Sequence, residues 1–161
     1  MSAADPARDL FRHTVATLAY RGGKALRGAP EGFSAFRAGA GSRSAGEILA
    51  HIGDILDWAL SQADGDRAFK PVPPSTWEEG QARFFASLGR LDARLASDAA
   101  LAVPAEKLFQ GPIADALTHV GQISLLRRLA GVPVRGENYV MADIAVGRVG
   151  MEQAAPRREF D

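Results

Sequence analysis

The stretch "DALTHVGQISLLRR", residues 115–128, carries one of the three histidines of this 161-residue chain, with an aspartate four positions before it. On a helix, residues four apart lie one above the other on one face. Asp115 and His119 can therefore bind each other, or both can bind one metal ion held between them. At about 100° per residue, Asp115, His119, Gln122 and Leu126 share one narrow stripe, flanked by Ile123, Leu125 and Leu129. The pair is thus expected to point into the protein, where a carboxylate is costly unless paired. His51 is the other histidine in an apolar helical setting, one turn from both Ile48 and Ile55. His51, Asp115 and His119 together would form a facial set of two imidazoles and one carboxylate. Three protein ligands leave positions open for water or substrate, the catalytic pattern and not the closed structural one.

The pair alone is a weak signal, because many such pairs are helix-surface ion pairs worth roughly a few tenths of a kcal/mol. Glu47 and His51 repeat the same acidic-x-x-x-His spacing, but Glu47 also sits where a helix cap needs it. Gln122 can orient a bound water or ligand, or simply hydrogen-bond a neighbouring helix. Glu47 and Gln122 are the candidates for a shell around the ligands. His13 has no suitable polar neighbour and is read as a non-ligand. Trp58 and Trp77 are read as core or pocket wall. Arg127 and Arg128 meet the negative end of a helix dipole, which requires no functional role.

Other chemistries fare worse. The chain has no cysteine, which excludes disulfides, thiolate metal sites and cysteine nucleophiles. It has no Glu-x-x-His pair of the di-iron bundles, no His-Glu-x-x-His and no phosphate-binding Gly-x-x-x-x-Gly-Lys-[Ser/Thr]. Ser124 lies on another side of its helix from His119, so the two cannot form a nucleophile pair.

Four helices must position these residues. Asp5 before Pro6 opens the first, over Pro6–Leu26, with a mixed face that includes Leu10, Thr14 and Arg21. A glycine-rich loop follows. Ser44 and Glu47 form a capping box for the second helix, whose buried stripe is Ile48, Ile52, Ile55, Leu56 and Ala59. The third opens at "STWEEG", capped by Ser75 with Glu78 or by Thr76 with Glu79, and buries Phe84, Phe85, Leu88, Leu91 and Leu95. A short turn is expected at Ala105–Phe109. The fourth helix runs from near Gly111–Pro112 to Leu129, where Gly131 and Pro133 stop it. A further short helix is expected around Ala142–Val146, with a peripheral tail from about residue 150. The pattern predicts one all-α domain, a four-helix bundle with a short additional C-terminal helix.

Lys+Arg and Asp+Glu are both 19, and 47% of the chain is hydrophobic. A balanced charge argues against nucleic-acid or membrane-surface partners. No apolar run nears the roughly 18 residues of a membrane span, and "MSAADPARDLFRH" lacks the apolar core of a signal peptide. A cytoplasmic location is expected. The fourth helix also carries Ile113, Leu117 and Val120 opposite Asp115. That second apolar face predicts either a homodimer or cover from the tail around Tyr139 and Val140.

"SAGEILAHIGDILDWAL" and "ADALTHVGQISLLRRLAG" resemble the two signature helices of the DinB-like superfamily (DinB/YfiT type), over about residues 14–149. The resemblance implies a four-helix bundle holding one divalent ion (Ni, Zn, Mn or Fe) through a histidine on the second helix, matched by His51, and a His-x-x-x-His pair on the last. The second of that pair matches His119. The first falls on Asp115, a departure that keeps a competent ligand but makes the set harder. The resemblance further implies an enzyme that activates water or a low-molecular-weight thiol, a small-molecule substrate and a homodimer. The competing expectation, kept open by Asp115, is a non-catalytic helical binding or stress-associated protein of the same fold.

Overall fold

Asp5 opens the first helix: its carboxylate accepts the N–H groups of Ala7 and Arg8, and Pro6 takes the first helical position. In this computed structural model, which describes residues 5–160, helix α1 then spans Pro6–Leu26. Helix α2, Ala45–Asp64, begins with the Ser44–Glu47 capping box and ends at Gly65, whose φ of 86° suits a residue without Cβ. Helix α3, Trp77–Ala96, takes the second of its two predicted caps, Thr76 with Glu79. A single turn, α4 (Ala105–Leu108), continues through a π-turn at Phe109–Ile113 into α5, Ala114–Leu129. Pro112 sits inside the π-turn. Proline has no N–H and its ring crowds the preceding turn, so local widening keeps the chain helical where a regular α-turn would break.

The fold is all-α. Helices α1 and α2 each pack against both α3 and α5, so the four long helices close around one core. Leu18, Ile52, Leu56, Phe84, Leu88, Leu91, Ile113 and Ile123 are buried there. A Cβ on Gly22 would run into the Phe84 ring, so glycine sets how closely α1 approaches α3. No helix among the described residues is long and apolar enough to cross a membrane.

Three readings of the sequence need correction. No helix forms at Ala142–Val146; a 3₁₀ turn occupies Tyr139–Met141 instead, with Asn138 capping it through Val140 N–H. Five residues containing the β-branched Ile144 and Val146 are too few to nucleate a helix. The tail, whose residues 151–160 include none that is buried, is tied down by a short ladder: Gly136–Glu137 (β1) pairs antiparallel with Glu159–Phe160 (β2). On α1, Leu10 and Arg21 lie exposed, and the buried face is Phe11, Val15, Leu18, Gly22 and Leu26. On α5, Leu125 and Leu129 are exposed, whereas Ile113 and Val120 are covered within the chain. Burial of those two residues therefore requires no second copy, and Val140, expected to help cover them, is itself exposed.

The two short strands carry a buried polar network. Glu137 accepts the Tyr20 hydroxyl at 2.7 Å and the Lys24 ammonium at 2.7 Å, and Lys24 also donates to Glu159 at 2.8 Å. Each oxygen of the enclosed Glu137 carboxylate is thus satisfied, as burial demands. Burial and then the hydrogen bond to Glu137 push the Tyr20 hydroxyl well above its ordinary value of 10.0. Burial would lower the Lys24 ammonium, but its bonds to Glu137 and Glu159 prevail and raise it above 10.5. Both groups hold their protons more tightly in the folded chain. Their stabilisation is present below about pH 10 and is lost as pH rises, because the unfolded chain then releases protons that the folded chain retains. Urea midpoints measured at about pH 9 and about pH 11 should fall more steeply for the parent than for Glu137→Gln. Equal falls in the two proteins would contradict the network's role.

Candidate metal centre

His51 lies on the second turn of α2, and Asp115 and His119 lie on the first two turns of α5, which packs against α2. The core residues that flank them fix their positions. Ile48, Ile52 and Ile55 anchor α2 on either side of His51, and Ala116, Val120 and Ile123 anchor α5. The three side chains converge. One ligand atom from each can be chosen such that all lie within 4.8 Å of one another. Among the described residues, this is the one cluster of histidine or acidic donors close enough to share an ion.

The distances are informative. His119 Nε2 lies 3.4 Å from one Asp115 oxygen, and His51 Nε2 lies 3.8 Å from the other. These separations are long for hydrogen bonds. The first is close to, and the second about half an ångström wider than, the roughly 3.3 Å that separates neighbouring donors around a tetrahedral ion with bonds of about 2.0–2.1 Å. The two imidazoles stand nearly perpendicular, with centroids 4.9 Å apart. His119 Nδ1 meets Gln122 Oε1 at 2.8 Å. With Gln122 Oε1 as the acceptor, the ring proton sits on Nδ1 and Nε2, on the Asp115 side, is free to ligate, the tautomer a metal ligand needs. The donor set therefore fits a divalent ion of the Zn, Ni or Mn type.

The cluster sits at the rim of the helical core, and the expectation that Asp115 points inward is corrected. The side chains are 12% exposed for His119, 26% for His51 and 49% for Asp115. Asp115 occupies the first turn of α5, where the helix meets the π-turn, and its carboxylate lies half exposed beside His51 of α2 instead of in the core. Two shielded imidazoles beneath an exposed carboxylate leave one side of the cluster reachable from solvent. Burial, then the positive field of Arg43 and the neighbouring His119, lower the His51 pKa and outweigh Asp115 and Asp54. A histidine kept neutral is ready to ligate without first losing a proton.

Of the two candidate supporting residues, Gln122 reaches the cluster and Glu47 takes other partners. Glu47 accepts the Ser44 N–H at 2.6 Å and pairs with Arg37 at 2.9 Å. The Ser44 bond, then Arg37, hold its carboxyl below the usual range. Its spacing to His51 reflects the cap. Arg43 was not singled out in the sequence. It lies eight residues before His51 and outside the helix, so no periodic signal ties the two together. His13 is exposed on α1 and apart from the cluster. Trp77 is buried and donates to the Leu26 carbonyl, while Trp58 is only partly buried, edge-on to Phe69.

No family model, curated protein or solved structure matches this chain. The chemistry of the cluster must be read from its own atoms.

Proposed function

We propose that His51, Asp115 and His119 hold one divalent ion and that the chain is a metal-dependent enzyme of the DinB-like kind acting on a small molecule. The observation that carries this reading is the convergence of three donors from two helices at metal-ligand spacing, with His119 oriented by Gln122. When bound, the ion supplies Lewis acidity that lowers the pKa of a water or low-molecular-weight thiol in its open positions. The residues supply the rest. Gln122 fixes the His119 ring, the neutral His51 offers its lone pair, and the exposed side of Asp115 leaves room for a reactant. Glu47 is engaged in the cap and Asp54 is held by Arg83 and the Val72 N–H, so neither is a free base for a bound water. A thiol, which ionises readily near a cation, suits this site better than a water needing a base.

The test is metal analysis and calorimetric titration of tag-free protein with Zn²⁺, Ni²⁺ and Mn²⁺, followed by assay with a low-molecular-weight thiol and electrophilic acceptors. About one ion per chain and thiol-dependent turnover are expected. Absence of any tight ion would overturn this reading and favour a non-catalytic helical module.

Asp115 sets the metal preference. Asp115→His replaces a hard oxygen with a softer nitrogen and is expected to favour Zn²⁺ or Ni²⁺ over Mn²⁺ relative to the parent. Asp115→Ala leaves two protein ligands and should weaken binding of all three ions. Competitive titration of the three proteins in one buffer checks both. If Asp115→Ala binds as tightly as the parent, Asp115 is no ligand.

A further inference from the structure

A second cleft lies across α5 from the metal cluster. Leu117, Gly121 and Ser124 project about half a helical turn away from Asp115 and His119. With Arg21 of α1 and Tyr139 of the 3₁₀ turn, they line a cavity of about 350 Å³. Val120 and Val134 add apolar wall. A Cβ built on Gly121 meets nothing within 4 Å, so the cavity is open over that residue.

Arg21 is held ready for a partner. Its guanidinium lies over the Tyr139 ring, with Cζ 4.2 Å from the centroid. Tyr139 is in turn set edge-on against Tyr20, 6.2 Å between centroids, and Tyr20 is tied to Glu137. The ring contact restrains the guanidinium and uses none of its five N–H donors, which stay available. Among the described residues, no carboxylate or carbonyl accepts from Arg21, and the Ser124 hydroxyl has no hydrogen-bond partner. Arg135, at the same cleft, already pairs with Glu159 at 3.4 Å. The uncancelled positive charge here is therefore that of Arg21.

A fixed guanidinium fork binds a carboxylate through two parallel hydrogen bonds. The apolar wall beside it suits a compact hydrocarbon or aromatic body, and the cavity is of the size that takes a small ligand. We propose that this cleft binds a small organic carboxylate, with Arg21 and Ser124 receiving the carboxylate and Leu117, Val120 and Val134 the apolar body. The site lies on the opposite face of α5 from His119 and does not depend on the metal reading.

Benzoate is the probe, titrated into the full chain by isothermal calorimetry and by amide chemical-shift mapping, with acetate and benzyl alcohol as partial ligands. Benzoate should bind saturably, with shifts around Gly121, Ser124 and Tyr139, and at least about tenfold more tightly than either partial ligand. Arg21→Gln, at an exposed position, should weaken benzoate at least about tenfold. Gly121→Leu should abolish binding by filling the cavity; leucine also favours the helix, so the variant is expected to fold. Divalent-ion binding should be unchanged in both variants. Failure of benzoate to bind at about 10 mM, equal binding of benzyl alcohol, or undiminished binding to Gly121→Leu would each overturn the proposal.

Discussion

Replacing His119 with alanine is expected to weaken divalent-ion binding by at least about 100-fold while leaving the helical circular-dichroism signal in place. Loss of a group that merely orients a ligand typically costs 10–100-fold, so loss of the ligand itself should cost no less. The remaining pair, His51 and Asp115, would sit on different helices without the i, i+4 chelate that α5 provides. The fold should tolerate the change, because α5 is anchored by Ala116, Val120, Ile123 and Leu126, none of which is altered. His13→Ala, at an exposed position on α1, is the control and should bind as the parent does. Competition against a chelating dye reads the affinity directly. Full binding by His119→Ala would end the assignment of the triad.

Arg127→Ala is expected to cost about 3–5 kcal/mol of folding stability. Arg127 is 6% exposed, and its guanidinium donates to the carbonyls of Ala25, Arg27, Gly28 and Val132. Three of these belong to the C-terminal end of α1 and the residues just beyond it, where carbonyls have no helical partner. One side chain thus caps α1 and closes the turn after α5. Truncation would orphan the buried Ala25 carbonyl and strip three part-buried carbonyls of their donor at once. Each charge-assisted bond is worth about 1.5–3 kcal/mol, and the contributions are not additive. Arg127→Lys, with a single ammonium in place of the fork, should recover only part. Arg128→Ala, on the exposed side of the helix, should stay within about 0.5 kcal/mol of the parent. Urea denaturation of the four proteins ranks them, and a loss at Arg127 no larger than at Arg128 would contradict the capping role.

These residues mark how far the sequence can be read. Caps and stops are local chemistry, so Asp5, the Ser44–Glu47 box and the end at Leu129 were legible from neighbours a few positions apart. His51, Asp115 and His119 were legible as candidates because an i, i+4 pair and an apolar-flanked histidine are visible in periodicity. The depth of the cluster was not legible. A helix wheel orders residues around an axis but does not say which side the neighbours occupy, and α5 is apolar on more than one side. Arg127 and Arg128 look alike in sequence. Only packing against the end of α1, about a hundred residues away, separates the buried cap from the exposed cation. The strand pair was invisible because two-residue strands carry no alternation, and the five residues at Ala142–Val146 show that a short helical pattern without a cap is not enough. The Arg21 cleft was missed for a related reason, since it draws on α1, α5 and the 3₁₀ turn at once.

The Lys24–Glu159 contact joins groups 135 positions apart in sequence. During synthesis, α1 emerges early and must wait with a lysine that has no partner of its own until Glu137 and then Glu159 leave the ribosome. Loop closure over such a span precedes any gain from the contact. Docking of the segment around Glu159 onto α1 therefore cannot occur until that segment has been made. Until then the nascent bundle has an unfilled polar slot on α1, a state that a chaperone or a protease could distinguish from the finished molecule.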